Sequence, residues 1–184
     1  TAADATSFPV RGGFGVAELG GKLWVVGGQG TGGRLNDVWS SPDGVTWTQE
    51  LANAPWTARN SHTLTAFNGK LWLMGGRANS GYLNEIWSSP GGITWTQETA
   101  SASWLPRSGH QVIQHDGKLW LMGGVRSGGG FQDVWNSTDG INWTLVTDTA
   151  AWSNRNGFGA ASFNNKLWVM GGANEGGSPF TNDV

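Results

Sequence analysis

Residues 59–97 read RNSHTLTAFNGKLWLMGGRANSGYLNEIWSSPGGITWTQ, and the punctuation of this stretch decides the fold. His62 to Phe67 forms a short alternating run, and Asn68-Gly69 is the dipeptide favoured for a type I′ hairpin turn. Lys70 to Met74 reads as the returning strand, ended by Gly75-Gly76. After a loop, Asn84 to Ser89 makes a third strand, Pro90-Gly91-Gly92 a turn and Ile93 to Gln97 a fourth. These four strands are labelled A to D. No segment shows a sustained 3.6-residue apolar period, so helices are expected to be nearly absent.

The same stretch recurs along the chain. Trp24, Trp72, Trp120 and Trp168 are spaced by 48 residues, as are Trp39, Trp87 and Trp135, then Trp47, Trp95 and Trp143, then Trp56, Trp104 and Trp152. All thirteen Trp belong to this repeat, and Phe8 stands where a fourteenth would be. Arg11, Arg59, Arg107 and Arg155 keep the period, and so do the pairs Gly27-Gly28, Gly75-Gly76, Gly123-Gly124 and Gly171-Gly172. A period free of insertions implies recent duplication or deliberate design. Four short antiparallel strands per period of this length predict an all-β β-propeller, each repeat one four-stranded blade. The expected organisation is a single unit over residues 1–184, with repeats at about 1–48, 49–96, 97–144 and 145–184, the last one incomplete.

Composition narrows the function. The net charge is −2 and 13% of residues are charged, which gives no basic excess of the kind that neutralises phosphates, so no nucleic-acid partner is expected. No run of 18 apolar residues is present, and no membrane partner is expected. With zero Cys, disulfides, thiolate metal sites and cysteine nucleophiles are excluded, and the absence fits either side of a membrane.

The order R-x-x-H, N-G-K-L-W-x-M-G-G, N-D/E-V/I-W resembles a kelch repeat, and the likeness covers essentially the whole chain through Arg59, His62, Gly75-Gly76, Trp87 and their counterparts. The C-to-D segments, residues 41–47 and 137–143, are similar to the Asp-box hairpin of sialidase-like propellers, one residue shorter. That resemblance implies a structural Asp that ties the turn to backbone N–H groups and a Trp that packs between blades. Gly91 replaces the Asp in the second repeat. Enzymatic relatives fit poorly. Copper radical oxidases with kelch repeats use a Tyr-Cys cross-link, whereas this chain has no Cys and its one Tyr is Tyr82. Sialidases need a Tyr-Glu pair that a lone Tyr in a Gly-rich loop does not supply. The chain therefore reads as a non-enzymatic binding scaffold without cofactor or metal. His62 and His110 share a position with Phe14 and Phe158, which marks it as a packing site.

Two sets of residues are candidates for ligand contact. In an up-and-down blade the D-to-A and B-to-C connections share one face and the A-to-B and C-to-D turns the other. Strand A is innermost by resemblance to kelch propellers, so Arg11, Arg59, Arg107 and Arg155 are expected to rim the channel mouth, where guanidinium groups suit an acidic peptide. Arg34, Arg77 and Arg126 lie in the B-to-C loops, which differ most between repeats: Gln29 to Leu35, Arg77 to Leu83, Val125 to Phe131 and Ala173 to Phe180. Against a binding role for the ring, Asp37, Glu85, Asp133 and Asp183 recur at the start of strand C, and Glu50, Glu98 and Asp148 in the D-to-A connections, close enough in topology to neutralise it. Trp56, Trp104 and Trp152, in the D-to-A connections, are the better candidates for a glycan, because they are expected to be partly exposed while the strand-C Trp fill the core. The alternatives to a peptide- or protein-binding scaffold are thus a lectin-like propeller and a duplicated or designed fragment with no natural ligand.

The alignment of the repeats carries a further expectation. Thr1 aligns just after a strand D and Val184 just before a strand-C Trp, so the fourth repeat lacks its outer hairpin. Self-association is expected, either as a head-to-tail dimer that closes an eight-bladed ring or through the remainder of a longer propeller.

Overall fold

A computed structural model describes residues 8–174 and 180–184. The first blade comprises β1 (Gly15–Leu19), β2 (Lys22–Gly30), β3 (Gly33–Ser41) and β4 (Thr48–Leu51), and the second β5 (Thr63–Phe67), β6 (Lys70–Ala78), β7 (Gly81–Ser89) and β8 (Thr96–Thr99). In the third, β9 (Gln111–His115) and β10 (Lys118–Met122) are followed by a small hairpin of β11 (Val125–Arg126) and β12 (Gly129–Gly130), then β13 (Val134–Ser137) and β14 (Thr144–Thr147). β15 (Gly159–Phe163) and β16 (Lys166–Met170) form the fourth sheet, and no helix occurs among the described residues. Every sheet is an antiparallel meander in chain order.

Strands B and C run further than their alternation suggests. β6 and β7 extend through Arg77 and Tyr82 to Ala78 and Gly81, past a register shift between Met74 and Gly76. Gly75 makes that bulge at φ 61°, and a Cβ there would lie 2.8 Å from Cε1 of His110 and 3.1 Å from the Arg107 carbonyl oxygen. The repeated glycine is therefore required by the next blade, which presses its ring and its backbone into the bulge.

Two apolar layers hold the first three blades together. Trp24, Val26 and Val38 of the first pack against Trp56, Leu64, Leu71, Leu73 and Trp95 of the second. Phe67, Trp72, Met74 and Ile86 of the second meet Trp104, Val112, Leu119, Leu121 and Trp143 of the third. Each blade so has a front flank facing the preceding blade and a rear flank facing the next.

The distribution of Trp between core and surface reverses the sequence expectation. Trp56 and Trp104 are 1% and 0% exposed, whereas the strand-C residues Trp39, Trp87 and Trp135 are half-buried. The D-to-A segment folds over the front flank of its own blade, where Trp104 meets Trp143 edge to face at 6.4 Å and lies beneath the Arg107 guanidinium at 5.9 Å. Strand D also begins later than expected. Trp95 and Trp143 belong to the turn before it, their indole N–H groups donating to the carbonyls of Gly92 and Gly140. Trp104→Ala is accordingly expected to cost about 3–5 kcal/mol through cavity formation, and Trp87→Ala clearly less. Urea melts of the two variants test the order, and equal costs would contradict it.

The C-to-D turns are built on Asp where Asp is present. Oδ1 of Asp43 accepts the N–H groups of Val45 and Thr46 at 2.8 and 2.7 Å, and Asp139 repeats this with Ile141 and Asn142 at 2.8 Å each. The N–H groups of Thr46 and Val45 hold the Asp43 carboxyl down at about 2. Asp139, with partial burial working against it, is held at about 2 by Asn142 and Ile141. Glu50 and Glu98, expected in the D-to-A connections, lie instead on β4 and β8, where they accept from Ser40 and Ser88 and face Lys22 and Lys70.

Candidate binding face

The arginine ring is internal to the blades. Nη1 of Arg107 donates to the Gly123 carbonyl at 2.9 Å and to Asp133 at 2.6 Å, and Nη2 reaches the second carboxylate oxygen at 2.7 Å. Arg11 does the same with Gly27 and Asp37, and Arg155 with Gly171 and Asp183, whereas Arg59 donates Nη1 to the Gly75 carbonyl and Nη2 to one oxygen of Glu85, whose other oxygen accepts from Gln97. Each side chain crosses strand B of its own blade, over a glycine, to a carboxylate: Asp37 within β3, Glu85 within β7, Asp133 just before β13, and Asp183 in the fourth repeat. The side chains of Arg11, Arg59, Arg107 and Arg155 are buried, so the expected rim of free guanidinium groups at the channel mouth is not formed. Their donors are already engaged with carboxylates that the sequence places beside them. Nε1 of Trp39 and Trp135 donates to the same Asp37 and Asp133 carboxylates.

The backbone of these arginines joins consecutive blades. The Arg59 N–H donates to the Leu35 carbonyl at 3.0 Å and its own carbonyl accepts from Gly28 at 2.9 Å; Arg107 repeats this with Leu83 and Gly76. Arg59 and Arg107 are thus rivets, the main chain fixed to the preceding blade and the side chain to their own.

Trp56 and Trp104, the glycan candidates, present no face to a ligand because both are sealed between blades. Trp152 is half-buried and lines a cleft of about 420 Å³ with Trp168 and Asp183.

What remains on the loop face is a set of cations outside the rivets. Bridges Leu35↔Arg59, Asn60↔Arg77, Ser108↔Val125 and Asn156↔Ala173 clamp each strand-A entry to a B-to-C hairpin, so both element types do share one face. Arg77 is exposed with its guanidinium 5.3 Å over Tyr82, and Arg126 is exposed 5.9 Å from the Phe131 ring. Arg34 donates to Asn60 and to Asn79 of the next hairpin. None of these three is paired with a carboxylate among the described residues. Residues 175–179 of the fourth loop lie outside the described residues. Sequence alone gives Tyr82 and Phe131 no binding role, because an aromatic in a Gly-rich loop carries no such signal until the hairpin sets it beside an arginine.

With this geometry in place, the likeness to known proteins can be assigned. A family model described as the KLHDC2/KLHL20/DRC7 Kelch-repeats domain matches residues 3–172. The chain belongs to the kelch-repeat family. In fold it is similar to a solved structure titled "Structure of YjhT", with a TM-score of 0.76 at 21% identity over 91% of this chain and 61% of that one. The kelch chain thus spans about 61% of the length of that structure. No curated protein sequence matches it. Kelch repeat domains generally act as non-enzymatic protein-interaction scaffolds.

The groove between the strand-A residues of the first three blades offers little chemistry. It measures about 260 Å³ and is lined by Phe14, Gly15, His62, Thr63, His110 and Gln111. The ring nitrogens of His62 and His110 are shut off from solvent, so neither ring can reach a ligand with its polar atoms. Both rings pack as Phe158 does, against the bulge glycine of the preceding blade. Among the described residues no three His, Cys, Asp or Glu side chains converge on a metal site.

Proposed function

We propose that the chain is an interaction scaffold that holds an acidic peptide or protein segment on its loop face, with Arg77 and Arg126 as the principal contacts. The observation that carries this reading is that both guanidinium groups are exposed, lack a carboxylate partner among the described residues and stand beside aromatic rings. Arginine and tyrosine are among the residues enriched at the energetically dominant centres of protein interfaces, and the guanidinium fork matches a carboxylate. Selection of phage-displayed peptides against the chain, followed by titration of the selected peptides, tests it. Acid-rich sequences should be enriched, and Arg77→Ala with Arg126→Ala should weaken them about tenfold or more while leaving the melting temperature unchanged. Enrichment without acidic residues, or binding indifferent to the double substitution, overturns the reading. Sugar binding on a glycan array that survives the double substitution would instead favour a lectin.

We also propose that the outer flanks of the first and fourth blades, where Val16 and Phe163 are exposed, are covered either by a second copy or by the remainder of a longer propeller. A solution mass of one 19.5 kDa chain at high protein concentration would overturn the second copy.

A further inference from the structure

The hairpins of the first two blades bring a second arginine beside Arg77. Asn60 forms a bridge with Arg77, and Arg77 stands opposite Tyr82 across the β6–β7 ladder. Residues directly opposite one another in antiparallel pairing present their side chains on the same face, with Cβ atoms about 4.5–5.5 Å apart. Asn60, Arg77 and Tyr82 therefore form one row. Arg34, from the hairpin of the preceding blade, reaches across the blade boundary into that row: its Nε donates to Oδ1 of Asn60 at 3.2 Å and its Nη1 to Oδ1 of Asn79. The Asn60 amide thus stands next to two guanidinium groups, Arg34 by a hydrogen bond and Arg77 by register.

The two positive charges are uncompensated. Arg34 rests on two neutral amide oxygens and Arg77 lies 5.3 Å over the Tyr82 ring, and neither meets a carboxylate among the described residues. Arg11, Arg59, Arg107 and Arg155 each have one. Nη2 of Arg34, Nδ2 of Asn60 and the Arg77 guanidinium have no hydrogen-bond partner among the described residues, and all three side chains are at least partly exposed. The row is particular to this boundary. In the third blade the bridging residue is Ser108 and the cross-strand pair is Val125 with Gly130, which carry no charge.

Resting on the loop-face reading above, we propose that this row is a phosphate subsite, taking a phosphorylated serine or threonine side chain of the bound segment between Arg34, Asn60 and Arg77. A single carboxylate has two oxygens and one charge, which one guanidinium fork satisfies. A phosphate monoester brings three acceptor oxygens and a charge of about −1.5 to −2. Two guanidinium groups and an amide N–H match that demand, and the charge they would neutralise is the one the chain leaves open.

Three peptide pools test the subsite, random except for a central phosphoserine, a central serine or a central Glu-Glu pair, each passed over the immobilised chain. The wild type should hold the phosphoserine pool about tenfold or more tightly than the serine pool, and more tightly than the Glu-Glu pool. Arg34→Gln should abolish the preference, while acid-rich members of the serine pool stay bound through Arg77 and Arg126 and the melting temperature is unchanged. Arg34→Lys, which keeps the charge without the fork, should restore little of it. A preference that survives Arg34→Gln, or phosphoserine held no better than Glu-Glu, overturns the subsite and leaves the loop-face reading standing. A lowered melting temperature in Arg34→Gln would make Arg34 a tie between hairpins and likewise overturn it. If no pool is held, the loop-face reading falls and the subsite with it.

Discussion

Acidification from pH 7 to pH 5 is expected to destabilise the protein by roughly 4 kcal/mol. The cause is His62 and His110. Each ring is pushed down to about 3, first by burial and second by the neighbouring guanidinium, Arg59 for His62 and Arg107 for His110. In the unfolded chain both take up a proton near pH 6.5. Between about 6.5 and 3 the unfolded state therefore binds more protons, and stability falls with pH by about 1.4 kcal/mol per unit for each ring. The contribution is complete above pH 6.5 and is lost as pH drops toward 3. For a fold worth about 5–15 kcal/mol this is a large share. Denaturant titrations at a series of pH values measure it. In His62→Phe with His110→Phe the slope between pH 6.5 and 5 should vanish, while stability at pH 7 should hardly change, because Phe158 occupies the equivalent site against Gly123. A wild-type profile that is flat over this range, or a slope that persists in the double variant, would refute the assignment. A second decline is expected below pH 4, as Asp43, Asp139 and Asp183, all held near 2, take up protons more readily in the unfolded chain.

How far the sequence reveals this molecule differs from residue to residue. The blades are legible because Gly75, Trp72 and Arg59 each meet the adjacent repeat in the same way as their counterparts, so one geometry leaves one spacing in the chain. The carboxylates that answer the arginines are legible too, since Asp37, Glu85 and Asp133 share the period. The choice between a tie and a channel-mouth ring is not. It depends on the direction each guanidinium takes across strand B to the carbonyl of Gly27, Gly75 or Gly123, which spacing does not reveal. The Trp assignment inverts for a related reason. Trp56 and Trp104 sit in irregular segments, which usually run over the surface, but these segments lie across a blade flank and the next blade boundary seals them. Arg77 and Arg126 are legible as loop residues that vary between repeats, and their aromatic neighbours emerge only from the cross-strand register, such as Arg77 opposite Tyr82.

Arg107→Ala is expected to cost about 3–5 kcal/mol, the penalty for leaving one partner of a buried ion pair without the other. The substitution takes the arginine donors from Oδ1 of Asp133 and the Gly123 carbonyl, and leaves Oδ2 of Asp133 with the Trp135 indole N–H alone. It also removes the cation over the rings of Trp104 and Phe131, the latter at 3.9 Å. Arg107→Lys should recover little, because a single ammonium cannot reproduce the forked contact with Asp133 while also reaching Gly123. The effect should grade with the exposure of the carboxylate left behind. The Asp133 side chain is 14% exposed and Asp183 53%, so Arg155→Ala should cost less than Arg107→Ala, water replacing the lost partner of Asp183. Arg77→Ala, which strands no buried group, should stay within about 0.5 kcal/mol of wild type. Equilibrium denaturation of the four variants gives the order directly. A cost for Arg107→Ala no larger than that for Arg77→Ala would mean that the rivet does not hold the blade, and would return the four arginines to consideration as a ligand site. The expected order separates arginines that join blades from those free to bind.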